Sequence, residues 1–167
     1  MSGKEIERKF LVRKAGSPWR GQAFSACHIQ QAYMAVDGAT VRVRIRDAEA
    51  FLTIKGPSRD GGLSRYEFEK EITIDEAEQL LELCRGGTID KTRYLVRSGS
   101  HTFEVDEFHG ANEGLVFAEV ELGSADEAFD SPSFIGPEVT GNRHYYNTSL
   151  LAGPYSQWKH EVPEEYR

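Results

Sequence analysis

A chain of 167 residues, 39% of them hydrophobic, is long enough for one domain with a substantial core. Its formal charge of −7 argues against a non-specific nucleic-acid binder, which needs a net basic face to displace counterions from phosphates. Two cysteines, Cys27 and Cys84, are too few for a disulfide framework and lack metal-ligand spacing, so both are expected to be reduced.

The opening run MSGKEIERKF has no apolar stretch, which predicts neither a signal peptide nor a membrane span. The expected location is the cytoplasm, with no membrane partner, and there the glycosylation sequon at Asn147 carries no meaning. No repeat or low-complexity linker divides the chain, so residues 1–167 are expected to form a single domain.

Taken in chain order, segments with period-2 alternation recur at about 4–13, 28–36, 40–47, 50–56, 65–74, 88–97, 101–108 and 115–122. Turn residues separate them, among them Asp37-Gly38, Asp60-Gly61-Gly62 and Ser98-Gly99-Ser100. The pattern predicts an antiparallel meander of eight strands. Asp75 with Glu78 reads as a capping box before Ala77, Leu80, Leu81 and Cys84, and Ser124 with Glu127 repeats that pattern. A third helix is predicted from near Thr140, carrying Arg143 to Leu151 and ending before Gly153-Pro154. Trp19 is expected in a loop, either packed or acting as a clamp. The tail from residue 150 to 167 reads as a disordered or merely packed terminus, with a lid over a tunnel mouth as the alternative.

Sorting each strand by parity separates charge from apolar residues. Glu5, Glu7 and Lys9 oppose Ile6, Phe10 and Val12, which share their face with Arg8; Arg42, Arg44 and Arg46 oppose Val41, Val43 and Ile45. Arg65, Glu67, Glu69 and Glu71 oppose Tyr66, Phe68 and Ile72; Lys91 and Arg93 oppose Tyr94 and Val96. Glu104 and Asp106 oppose Phe103 and Val105, and Glu119 and Glu121 oppose Ala118, Val120 and Leu122. A solvated sheet face with cross-strand ion pairs would also alternate. Same-sign stripes such as Arg42-Arg44-Arg46 and same-sign pairs such as Glu119 with Glu121 cost energy without a counter-charge. They make sense where an anion and cations bind together. Closing the sheet with this face inward gives an eight-stranded antiparallel β-barrel, a tunnel with a charged interior and a few helices packed outside. Such a tunnel suits a metal polyphosphate, with hard carboxylate oxygens for Mg²⁺ or Mn²⁺ and basic side chains for phosphate.

The run Glu5-Ile6-Glu7-Arg8-Lys9 resembles the ExExK signature of the CYTH superfamily, the triphosphate tunnel metalloenzymes. The resemblance continues in order through Gln31 with Tyr33, RVRIR at 42–46, LTIK ending at Lys55, GGLSR with YEFE, KTRY at 91–94, EVDEF at 104–108 and AEVEL at 118–122. It is nearest to short bacterial inorganic triphosphatases.

The resemblance implies hydrolysis of a small triphosphate, tripolyphosphate first, with Mg²⁺ or Mn²⁺ held by Glu7, Glu119 and Glu121 and with Glu5 close by. Glu69 and Asp106 are implied near a second metal or the attacking water, with Glu5, Lys9 and Tyr33 among the catalytic groups. Lys9, Arg42, Arg44, Lys55, Lys91 and Arg93 are the implied phosphate ligands, with Arg143 implied to close over one end. For Arg46, Arg65 and Arg143 a cross-strand ion pair is an equal reading. The histidines have no ligand-like spacing. Thiamine triphosphatase and adenylate cyclase activities stay open within the family, and a non-catalytic polyphosphate-binding module outside it. A carrier barrel with an apolar lumen would need the charged row outside. The protein is expected to act as a monomer or homodimer.

Overall fold

The computed structural model describes residues 3–167. Among these, nine strands form one sheet: β1 Gly3–Val12, β2 Ser25–Met34, β3 Thr40–Arg46, β4 Glu49–Lys55, β5 Ser64–Ile72, β6 Arg85–Ser98, β7 His101–Phe108, β8 Val116–Glu121 and β9 Ile135–Glu138. The order is β5-β4-β3-β2-β6-β7-β8-β1, and antiparallel pairing of β1 with β5 closes the ring into an eight-stranded barrel. Closure removes the open edges that would otherwise seek partners. The eight expected strands are all present. The short β9, which sequence alternation did not announce, adds to β1 beside Phe10 and Val12.

Alternation places the apolar parity of the strands outside, where two clusters cover it. Phe10, Val12, Val96, Phe103, Val105 and Val120 pack with Trp19 and Phe134, and Phe129 leans on them. Trp19 lies in a short helix, α1 (Pro18–Gln22), rather than in a loop, and at 2% exposure it is a packing residue. The second cluster sets Val43 and Ala50 against Ala77 of α2 (Ile74–Leu81), flanked by Ile74, Leu80 and Leu81. The capping box of α2 is Thr73 with Glu76, two residues ahead of the expected Asp75 and Glu78, because Thr73 is where the extended chain ends.

The helix expected at Ser124 does not form. Ser124 turns its hydroxyl to Asp126, and the Glu127 carboxylate accepts from the Gly123 amide and meets His101, so these polar groups fix a bend. The irregular segment that follows covers the barrel through Phe129 and Phe134. The third helix is also broken. Arg143–Tyr145 form a 3-10 turn, Tyr146 is extended at φ −74° and ψ 133°, and α3 runs only from Asn147 to Ala152. Ahead of it, Gly141 (φ +79°) presses its backbone on the Gly61-Gly62 turn, where a Cβ added at Gly62 would lie 2.6 Å from the Gly141 Cα. Side chains at either position would push the two loops apart.

The third apolar cluster was not foreseen. Leu11, Ile89, Phe108 and Phe117 share parity with Lys9, Lys91, Asp106 and Glu119, so they face inward at one end of the barrel. There they pack with Tyr145, Leu150, Tyr155, Trp158, Val162 and Tyr166. The tail is therefore packed, with Tyr155 and Trp158 in the four-residue helix α4 (Tyr155–Trp158). Lys159 is exposed, and neither it nor Trp158 lines the cavity. Among the described residues no helix is long and apolar enough to cross a membrane.

Candidate functional site

The inward parity of the eight strands encloses a cavity of about 1130 Å³. Glu5, Glu7, Lys9, Tyr33, Arg42, Arg44, Lys55, Glu69, Lys91, Arg93, Glu119, Glu121 and Arg143 all line it, as do Arg46 and Arg65. Of the predicted site residues only Asp106 is absent from the lining; it lies beneath the wall at 0% exposure.

Strand order sorts the charges into two walls. Glu5 and Glu7 of β1, Glu119 and Glu121 of β8, Glu104 of β7 and Glu67, Glu69 and Glu71 of β5 lie on adjacent strands, because β5, β1, β8 and β7 are neighbours. Arg42, Arg44 and Arg46 of β3 and Lys91 and Arg93 of β6 lie on the other side, with β2 between them. Glu7 pairs with Glu121 and Lys9 with Glu119 in register, which brings the β1 motif beside the β8 motif.

On the basic wall every cation is held by a built contact. Lys91 Nζ donates to Asp106 Oδ2 at 2.7 Å, and Arg93 donates to both Asp106 oxygens at 2.7 and 2.9 Å. Burial alone would raise the Asp106 carboxyl, but Arg93 and Lys91 hold it well below the usual carboxylate range. Lys91 is pushed down to about 7 by its burial, with repulsion from Arg93 and Arg44 outweighed in part by Asp106. Burial, then Arg42 and Arg93, push Arg44 down to about 9. Arg42 donates to Thr53 Oγ1, which in turn donates to Glu69. Across from that wall, on β1 among the glutamates, Lys9 Nζ donates to the Tyr145 carbonyl at 2.9 Å and sits 4.5 Å from the centre of the Phe117 ring.

The acidic wall is less neutralised. Lys55 Nζ donates to both Glu5 oxygens at 3.0 and 2.8 Å, with Arg65 at 3.9 Å. Among the described residues Glu7 has no such partner. Burial, then the nearby Glu119 and Glu5 carboxylates, push it well above the ordinary carboxylate value. Glu119 opposes its own burial with help from Lys9 and is held down to about 2. Glu121 is raised by burial and by Glu5 and Glu104.

Among the described residues no three acidic, histidine or cysteine side chains converge tightly enough to grip an ion in this conformation. The donor set nevertheless fits a divalent cation. Glu7, Glu119 and Glu121 line the cavity from neighbouring strands, Glu7 is raised by the crowding of Glu119 and Glu5, and hard oxygen donors of this kind suit a divalent cation such as Mg²⁺ or Mn²⁺.

The sequence matches the CYTH domain over residues 3–146. The chain belongs to the CYTH family. It is 43% identical over 159 residues to the inorganic triphosphatase of Acetivibrio thermocellus, covering 94% of this chain and 99% of that protein. It is 36% identical over 151 residues to the inorganic triphosphatase of Nitrosomonas europaea, covering 87% and 95%. The crystal structure of the inorganic triphosphatase NE1496 superposes with a TM-score of 0.59 at 32% identity, covering 88% of this chain and 93% of that one.

Some residues of this CYTH site escaped the sequence reading. Asn147, Thr140, Tyr146 and Ser149 line the cavity from the C-terminal segment, and Phe51 lines it from β4. Phe51 was legible by parity with Lys55. The C-terminal residues carried no periodic signal, because they reach the cavity from turns and short helices.

Proposed function

We propose that this CYTH protein is a divalent-metal-dependent hydrolase that cleaves inorganic tripolyphosphate to pyrophosphate and phosphate inside its barrel. The observation that carries the reading is the division of one enclosed cavity into an acidic wall facing a basic wall. A linear polyanion needs the second, and a cation that bridges to it needs the first. The two inorganic triphosphatase relatives, aligned along nearly the whole chain, support the same substrate.

In this reading residues 1–167 work as one tunnel domain in the cytoplasm, in keeping with two free cysteines. Glu7, Glu119 and Glu121 would hold Mg²⁺ or Mn²⁺, with Glu5 beside them. The bound cation would supply positive charge against the phosphate oxygens. Lys9, Arg42, Arg44, Lys55, Lys91 and Arg93 bind the remaining oxygens, and the exposed Arg143 meets the chain end at the mouth. Asp106, with both oxygens already engaged, orients Lys91 and Arg93. Glu69, bonded to Thr53 and 3.6 Å from Arg42, is placed to accept a proton from water. Tyr33 presents its phenol to the same cavity.

Phe51 is an inward aromatic on which an organic group could stack, as thiamine triphosphate or ATP would require. Arg46 already lies over its ring at 4.8 Å to the centroid, which favours the inorganic substrate. The test is orthophosphate release from tripolyphosphate, ATP and thiamine triphosphate with Mg²⁺, Mn²⁺ or chelator, for the native protein and Glu7→Gln. Metal-dependent release fastest on tripolyphosphate and lost in the variant is expected. Tight binding without turnover on all three would leave a polyphosphate-binding module instead.

A further inference from the structure

We infer that Gln31 and Asn147 are positioning residues, which hold Tyr33 as a hydrogen-bond donor toward the cavity and tie the C-terminal segment to both arms of the basic wall. The inference deepens the triphosphatase reading and rests on it for what fills the cavity.

Gln31 is completely buried, on an inward position of β2 between Arg44 of β3 and Ile89 of β6. An apolar residue would be the expected filler there, since a buried amide is costly unless its polar atoms are all engaged. All are engaged. Gln31 Oε1 accepts from Arg44 Nε at 2.9 Å, while Nε2 donates to Tyr33 Oη at 2.6 Å and to Asn147 Oδ1 at 3.2 Å. Asn147 Oδ1 also accepts from Lys91 Nζ at 3.1 Å.

The direction of every bond in this chain is forced. Arginine only donates, so Arg44 fixes the Gln31 oxygen at one end, and the Gln31 NH₂ in turn fixes the Asn147 oxygen, the atom that Lys91 also meets. The Gln31 NH₂ group must then face Tyr33. Tyr33 Oη accepts it and keeps its own proton for the cavity that the ring lines. A phenol turned this way donates to an anion, adding to the cations around it. Asn147, the first residue of α3, links Lys91 to the segment whose Tyr145 carbonyl holds Lys9. The same short stretch of tail therefore sets both lysines.

Two substitutions separate this from simple packing. Gln31→Glu keeps the acceptor for Arg44 but replaces the donor, so the Tyr33 hydroxyl turns to donate to the new carboxylate. Asn147→Asp keeps the oxygen that receives Lys91 and Gln31, whereas Asn147→Leu removes it. With tyrosine labelled by ¹³C at Cζ, the Tyr33 resonance of the ligand-free protein, identified by its loss in Tyr33→Phe, is expected to shift in Gln31→Glu. In tripolyphosphate titrations under chelator, Tyr33→Phe should weaken binding about tenfold in the native background and less than about twofold in the Gln31→Glu background. Asn147→Leu should weaken binding about tenfold, with Asn147→Asp restoring most of the loss. An unmoved resonance, additive losses, or Asn147→Asp as damaging as Asn147→Leu would overturn the inference. If the native protein hydrolysed no triphosphate with any metal, the hydrolase reading would fall while the resonance still decided the positioning role.

Discussion

Lys91 and Asp106 form an ion pair with Nζ 2.7 Å from Oδ2 and each side chain only 1% exposed. Asp106 also carries Arg93, so one carboxylate serves two buried cations. Removing it leaves Lys91 with only the Asn147 amide oxygen and Arg93 with only the more exposed Glu104, whereas removing Lys91 leaves Asp106 paired. Asp106→Asn is therefore expected to cost about 3–5 kcal/mol of stability, and Lys91→Met clearly less. Urea unfolding of the two variants checks the ranking, and equal losses would show that Asp106 is not the hub.

Burial and the neighbouring Glu119 and Glu5 carboxylates favour a protonated Glu7, and that proton should leave when a cation takes its place. Because Glu7 is held above the ordinary carboxylate value, Mg²⁺ or Mn²⁺ binding is expected to release protons, since metal ligands must be deprotonated. Calorimetry in buffers of different ionisation enthalpy reads the release. It should disappear in Glu7→Gln, and a release unchanged by that variant would move the cation elsewhere.

With Lys91 near 7 in the folded chain against 10.5 unfolded, the unfolded state binds the extra proton between those values. Stability then rises with pH from about 7 to about 10.5 through this group. Anion binding has the opposite trend, because the neutral amine attracts phosphate less. Tripolyphosphate affinity under chelator should fall above about pH 7 relative to Lys91→Met, which lacks the titrating group. Parallel pH profiles for the two proteins would contradict this.

Trp158 is 7% exposed, packs edge-on to Tyr145 and Tyr155, and donates its indole N–H to the Gly153 carbonyl. Trp158→Ala should cost about 3–5 kcal/mol. Because Tyr145 carries the carbonyl that holds Lys9, tripolyphosphate affinity should drop too, even in protein that remains folded at low temperature. Thermal unfolding with parallel titration tests both, and native affinity in the folded variant would separate the tail from the site.

Period-2 alternation was enough to find the eight barrel strands and to assign Glu5, Glu7, Lys9, Arg42, Arg44, Glu119 and Glu121 to one face, since side-chain direction in a strand follows from parity alone. Helices were less legible. The Ser124–Glu127 pattern made a bend, and the Arg143–Leu151 stretch split at Tyr146, because neither has a long apolar stripe to hold a helix together.

By itself, then, the sequence determined which residues share a face and that this face is ionic. Only the tertiary structure decided which charges face one another, since that depends on β1 pairing with both β5 and β8 across distant parts of the chain. It also decided that Asp106 would lie beneath the wall, engaged by Lys91 and Arg93, and that Asn147 would reach Lys91 from 56 residues away. Those contacts arise from packing between segments remote in sequence, and no local pattern encodes them.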